Sequence, residues 1–149
     1  MGYMSDVAMV MPKKEYDNML NILKGVVSEK LVYPDTTTET ANKVLSLLKY
    51  ADVKGNAKTT HISGKKEDVV YLMWHYIKWY DFEPDDCYSD VRWLMKYLRG
   101  LKLYEYIRIG EEYDDIEIEQ VGSNYDAVLE FHRDIKISEY CLEKVQKHD

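Results

Sequence analysis

Phenylalanine, cysteine and proline are scarce in this 149-residue sequence, with 2, 2 and 3 copies, and glycine numbers only 7. So little Pro and Gly excludes a collagen-like or low-complexity chain. The two cysteines, Cys87 and Cys141, form neither a CxxC nor a Cys/His group. That excludes a disulfide scaffold and a zinc ribbon, and points to free thiols in a reducing cytoplasm. No window reaches the ~18 uninterrupted apolar residues of a membrane span; the longest aromatic run, Val69 to Tyr80, contains His75 and Lys78. The opening stretch, Met1-Gly2-Tyr3-Met4-Ser5-Asp6, lacks a basic flank and an apolar core, and Asp6 stands where a myristoylation signal needs Ser or Thr. Neither export nor acylation is expected. GxSxG, P-loop and GxGxxG motifs are missing too, which sets aside serine hydrolases, P-loop nucleotide hydrolases and Rossmann dehydrogenases. Positive charge is in deficit: 20 Lys and Arg face 27 Asp and Glu, a net charge of −7. Nucleic acid and anionic lipid are therefore repelled unless a local basic patch overcomes the field.

What is present is a globular composition, 46% hydrophobic and 32% charged, at a length that suits one core and one domain, 1–149. Asp6 to Met11 read as a short buried strand, 6–11, closed by Pro12. Helical spacing of Tyr16, Met19, Leu20, Leu23 and Val27 predicts a helix over 13–30. Thr36-Thr37-Thr38-Glu39 offers a capping box, Thr36 accepting from the Glu39 amide, for a second helix over 37–51 that buries Ala41, Val44, Leu45 and Leu48. Lys54-Gly55-Asn56 reads as a turn, and β-branched Thr59, Thr60 and Ile62 suggest a short strand over 57–62. The apolar stretch after Ser63-Gly64 predicts a helix over 66–80, with Asp68, Tyr71, His75 and Lys78 as its narrow polar stripe. A helix that apolar needs cover on most sides. A further helix, 86–99, buries Val91, Leu94, Met95 and Leu98 ahead of Gly100. Strands over 103–110, 114–121 and 128–137 then predict an antiparallel meander, and Ser138 caps a last helix over 138–147. The expected fold class is α+β: a helix-rich N-terminal two-thirds packed on a small three-stranded antiparallel meander, to which the N-terminus can add a strand.

The densest chemical signal is acidic. Glu111, Glu112, Asp114, Asp115, Glu117 and Glu119 fall within nine residues, with Tyr104, Tyr106 and Tyr113 close by. Such a run is ordinarily a solvated hairpin rim. Its functional reading is a docking surface for a basic protein, on which carboxylates imitate the phosphates of nucleic acid. Asp81, Glu83, Asp85, Asp86 and Asp90 extend that surface if folding brings them near. Small, acidic, aromatic and without a recognisable catalytic set, the chain looks in type like the accessory and inhibitor proteins of phages and mobile elements. The function expected first is therefore non-enzymatic and cofactor-free: binding, and inhibition, of a basic, nucleic-acid-handling partner.

Two other classes stand beside it. The order helix, three strands, helix, with Asp114 or Asp115 followed by Asp134-Ile135-Lys136, loosely resembles the core of the PD-(D/E)xK nuclease family. That resemblance implies a carboxylate helping to bind a hard cation and Lys136 aligning a water; the ordinary reading of the same residues is a cross-strand salt-bridge ladder. The four histidines, His61, His75, His132 and His148, show neither HExxH nor a spaced Cys/His set, so no metal is expected from them. The third class is a small-ligand or nucleotide binder in the aromatic helix region. On the helix over 86–99, Arg92, Lys96 and Arg99 recur beside Trp93 and Tyr97, the one basic stripe with aromatic interleaving, able to grip a phosphate or stack a base. Pairing with the chain's own surplus of acids is the ordinary alternative. Tyrosine is abundant, with 14 copies against 2 Phe, which suits contact surfaces as well as cores. The apolar 66–80 helix in turn suggests a homodimer formed through its surface.

Overall fold

Proline has no N–H to give a neighbouring strand, and Pro12 stands where the first strand, β1 (Ser5–Pro12), gives way at once to helix α1 (Lys13–Val27). The computed structural model describes residues 2–80, 88–123, 127–132, 135–138 and 140–142, with Lys136 described in its backbone alone. After α1 come α2 (Thr38–Lys49), β2 (Val53–Thr60), β3 (Lys66–Ile77), α3 (Ser89–Arg99), β4 (Tyr104–Gly110), β5 (Ile116–Val121), β6 (Leu129–Phe131) and β7 (Ile135–Ile137). The first five strands form one antiparallel sheet in the order β2-β3-β1-β4-β5, and β6 and β7 pair only with each other.

The helices pack on one face of the sheet. Tyr16, Met19, Ile22, Leu23 and Val26 of α1, Ala41, Val44, Leu47 and Leu48 of α2, and Val91, Leu94, Met95 and Leu98 of α3 meet Val7, Met9, Met11, Val70, Leu72, Trp74, Tyr104 and Tyr106. The Trp74 indole N–H, deep in this layer, donates to the Leu47 carbonyl at 2.9 Å, so its polar atom is satisfied. The opposite face carries Ala8, Val10, Val69, Tyr71, Met73, Ile107 and Ile109, covered by Val128, Leu129, Ile135 and Cys141. The sheet is coiled enough for its outer strands to meet at one end: His61, past β2, bridges Ser123, past β5, and the Ile62 N–H donates to the Gly122 carbonyl at 3.0 Å. Gly122 has φ +79° and sits so close to the Lys102 carbonyl that a Cβ has no room there.

Two expectations are overturned. The predicted helix over 66–80 is the strand β3, and the predicted three-stranded meander is only the β4–β5 pair. Among the described residues strand exceeds helix, 39% to 31%, and the architecture is a five-stranded sheet carrying three helices, not a helix-rich region on a small meander. The first error has a clear physical origin. β3 lies between β2 and β1 and is buried on both faces, with Val70, Leu72 and Trp74 toward the helices and Val69, Tyr71 and Met73 toward β6 and β7. A strand buried on both sides loses its apolar-polar alternation and reads as a continuous apolar run.

The second error arises because Val128, Leu129 and Ile135 are needed over the far face, and the chain crosses over there instead of extending the sheet edge. Lys54-Gly55-Asn56, expected as a turn, lies inside β2, where Gly55 makes room for the Tyr71 ring. Tyr76, at φ +55°, marks a bulge where β3 slips register against β1. Asp6 Oδ1 accepts the Tyr76 N–H there at 2.9 Å, and Asp52 Oδ2 the His75 N–H at 2.7 Å. Of the predicted last helix, residues 139 and 143–149 lie outside the described residues, and the Cys141 N–H donates to the Ser138 carbonyl at 3.0 Å.

Candidate functional site

The acidic run divides into two parts with different environments. On the strand side, alternation in β5 turns Glu117 and Glu119 toward the helix-bearing face, opposite Arg108 and Tyr106 of β4. Arg108 Nε reaches Glu117 Oε1 at 2.6 Å, and Arg108 Nη2 reaches Asp115 Oδ1 at 2.6 Å. Tyr3 donates to Asp115 Oδ2 at 2.6 Å. Arg99, projecting from the end of α3, meets Glu119 at 2.8 Å, and the Tyr104 hydroxyl donates to the same carboxylate at 2.8 Å. Gly110 is required beside this cluster, because a Cβ there would strike Asp115 and the Tyr3 hydroxyl.

The electrostatics follow from the geometry. Hydrogen bonds from Arg108 and Tyr3 hold the Asp115 carboxyl below its ordinary pKa, and the Arg99 hydrogen bond does the same for Glu119. Burial alone would lower the Arg108 pKa, but its bonds to the two carboxylates outweigh that and hold the guanidinium above its ordinary value. Burial, then the bond to Glu119, pushes Tyr104 up to about 12. Tyr104 and Tyr106 are buried, so neither is a surface tyrosine. Of the acidic residues in the run, only Glu111, Glu112 and Asp114 are exposed, on the turn with Tyr113.

The basic, aromatic stripe of α3 has a different setting. Trp93, Tyr97, Arg92 and Lys96 line a cleft of about 840 Å³ together with Glu15 and Asn18 of α1, Tyr33, Pro34, Asp35 and Thr37 of the connection 28–37, Thr40 of α2, and Ser89, Gly100 and Leu101. Trp93 and Tyr97 lie one helical turn apart and stack in parallel, centroids 5.5 Å apart at 7°, with the Tyr33 ring tilted against Trp93 at 6.3 Å. Their polar tips are tied down. The Trp93 indole N–H donates to Thr36 Oγ1 at 2.7 Å, and the Tyr97 hydroxyl donates to the Glu15 carbonyl at 3.0 Å while accepting from Asn18 Nδ2 at 3.2 Å. Partial burial raises the Tyr97 pKa, so this hydroxyl stays protonated and remains a donor.

The connection that forms the far wall is locally specified. Asp35 has φ +55°, a region that Asp tolerates better than most residues. Thr37, one residue later than the sequence indicates, caps α2 by accepting the Thr40 N–H at 3.1 Å. Thr36 is thereby released to hold Trp93. Lys96 meets Asp35 at 3.5 Å, with the two side chains 79% and 84% exposed. Arg99, third member of the stripe, is turned away to Glu119.

The remaining sequence candidates are described only in part. Asp114 is exposed on the turn, Asp115 is held by Arg108, and Asp134 and the Lys136 side chain lie outside the described residues. The strand that was expected to carry Asp134 and Lys136 belongs to the β6–β7 pair, apart from β4 and β5. Among the described residues, no group of three or more His, Cys, Asp or Glu is placed to hold a metal ion. His61 meets Glu67 at 2.9 Å, His75 and His132 are exposed, and His148 and Cys87 lie outside the described residues. Asn18, Tyr33, Asp35, Thr37 and Thr40 were not singled out by the sequence. Their one local signal is the Tyr33-Pro34-Asp35 break before a capped helix, which marks a shaped loop without saying what it faces. Comparison with protein-family models, with curated proteins and with solved structures finds no match to this chain.

Proposed function

We propose that this chain is a non-enzymatic binding protein whose ligand is a small planar molecule held in the cleft between α1, the connection 28–37 and α3. The observation that carries the reading is the parallel Trp93–Tyr97 stack lining a cleft of about 840 Å³, within the size range of small-molecule sites. Fixing the ring tips to Thr36, Glu15 and Asn18 in advance spares the ordering cost that a loose aromatic pair would incur on binding. The lining contains neither His nor Cys, which supports binding more than proton transfer or nucleophilic chemistry.

The test is a thermal-stability screen against purine and pyrimidine bases, nucleosides and other planar aromatics, run on the native chain and on Tyr97→Leu. Ligand at a hundredfold excess over Kd should add about 2.7 kcal/mol to stability, and Tyr97→Leu should abolish the gain while remaining folded by circular dichroism. A screen without a stabilising compound, or a gain unchanged in the variant, rejects the cleft.

The exposed turn favours a second reading, an acidic docking tip for a basic, nucleic-acid-handling protein. Glu111, Glu112, Asp114 and a Tyr113 that is 79% exposed support it. Affinity capture at low and high salt tests it, with Glu111, Glu112 and Asp114 reversed to Lys. Reversal at Asp115 or Glu117 is avoided, because those carboxylates hold Arg108 and a loss of capture would be confused with a loss of structure. A partner held equally at both salt concentrations, or retained by the variant, rejects the docking tip.

A further inference from the structure

We infer that the cleft ligand is a planar cation, a flat ring bearing an amidine-type group, with the charged group against Glu15 and the ring on the Trp93–Tyr97 side. This rests on the cleft reading above. Glu15 is half-buried, lines the cleft and forms no ion pair among the described residues. The cations next to it in sequence are directed elsewhere: Lys13 meets Asp17 at 3.1 Å, and Lys14 meets Glu67 at 4.0 Å. Its place in the first turn of α1 supplies only the partial positive charge of a helix end.

The two cations of the cleft do not pair with it either. Lys96 meets Asp35 at 3.5 Å, and Arg92 has an interaction partner of its own within the chain. Counted pair by pair, Glu15 is the charge of the lining without a counter-charge among the described residues. A carboxylate partly withdrawn from water is best matched by a cation that arrives with the ligand.

The neighbours of Glu15 favour a nitrogen-rich, flat cation over a compact one. Asn18 lies three residues on, on the same face of α1, and gives its Nδ2–H to the Tyr97 hydroxyl at 3.2 Å, so its Oδ1 remains an acceptor beside Glu15. Burial first, and then the negative charge of Glu15, raise the Tyr97 pKa against the Asn18 hydrogen bond, which sets the carboxylate within electrostatic reach of the ring tip. An amidinium carries several N–H donors in the planar fork that carboxylates accept. The Trp93 and Tyr97 rings add attraction of the same sign, because their electron-rich faces hold a cation as well as a stacked ring.

Calorimetric titration of the native chain with 2-naphthamidine and 2-naphthamide, which share a ring and differ in charge, tests the inference beside the screen of planar compounds. The amidine should bind about tenfold more tightly than the amide. Glu15→Gln should erase that difference, with the amidine weakened to the level of the amide. The variant keeps the anchor of the ring, since the Glu15 backbone carbonyl and not its side chain accepts the Tyr97 hydroxyl. Equal affinity for the two compounds, or a preference for the amide, overturns the inference and leaves the cleft reading intact. So does an amidine preference that survives Glu15→Gln, and so does a screen in which only uncharged planar compounds bind. If no planar compound of any kind binds, the cleft reading itself has failed, and the inference with it.

Discussion

Two of the places where opposite charges meet on the helix-bearing side of this protein are held very differently. Between β4 and β5, Arg108 lies within 2.6 Å of two carboxylates and is 14% exposed. In the cleft, Lys96 and Asp35 stand 3.5 Å apart, 79% and 84% exposed. The first set is committed to the fold, because removing Arg108 leaves two partly desolvated carboxylates without their cation. The second is exchangeable, because water already solvates both groups. Charge density therefore says little about commitment here: the crowded acids of β5 are mostly engaged within the chain, whereas Lys96 and Asp35 stand largely in water.

The largest way to break this comparison is Arg108→Met. Asp115 and Glu117 would lose their cation, and urea denaturation should report a loss of about 2–3 kcal/mol, set below the fully buried case for their partial exposure. A loss under about 0.5 kcal/mol would show that the strand pair is no more committed than the cleft.

Glu105, on the opposite face of β4, sharpens the same contrast. It is 2% exposed and accepts the N–H groups of Val128 and Leu129, each at 2.9 Å, latching β6 onto the sheet. Glu105→Ala should cost about 2 kcal/mol, the price of two buried donors left without an acceptor.

Acid titration separates the two kinds of carboxylate by sign. Asp115 and Glu119 have lowered pKa values through Arg108 and Arg99, so their contribution is present above the ordinary carboxylate value and disappears as pH falls through the folded value. Burial raises Glu105, against the pull of the two N–H groups. Its contribution is full below its unfolded value and is lost as pH rises through the folded one. In Glu105→Gln, stability relative to the native chain should therefore improve as pH climbs through the carboxylate range. In Arg108→Met the native chain's advantage should shrink as pH drops. Parallel pH profiles in all three proteins would refute both assignments. The smallest effect belongs to the cleft: Lys96→Ala should change stability by less than about 0.5 kcal/mol, and a larger loss would place Lys96 among the structural charges.

Helices α1, α2 and α3 are legible in the sequence because Tyr16, Met19 and Leu23, then Ala41, Val44 and Leu48, then Val91, Leu94 and Leu98 recur at helical spacing. β1 and β4 are legible as apolar runs closed by Pro12 and Gly110. β3 is not, because burial on both faces erases the alternation that distinguishes a strand. The crossover of β6 and β7 is equally hidden, since the alternation in 128–137 is the same whether the strand extends one sheet or starts another. For the candidate site, Arg92, Trp93, Lys96 and Tyr97 are visible as a stripe on one helix. The wall facing them is invisible, because Asn18, Asp35 and Thr37 reach it only through the packing of α2 against both α1 and α3.

By itself the sequence determined the acidic excess, the three amphipathic helices and the aromatic-basic stripe of α3, all properties carried by spacing within a few turns. Tertiary structure alone decided which charges are spent and which are open. Arg99 meets Glu119 from 20 residues away, and Tyr3 meets Asp115 from 112 residues away. Such pairings follow from strand order and register, which the composition of no single segment encodes.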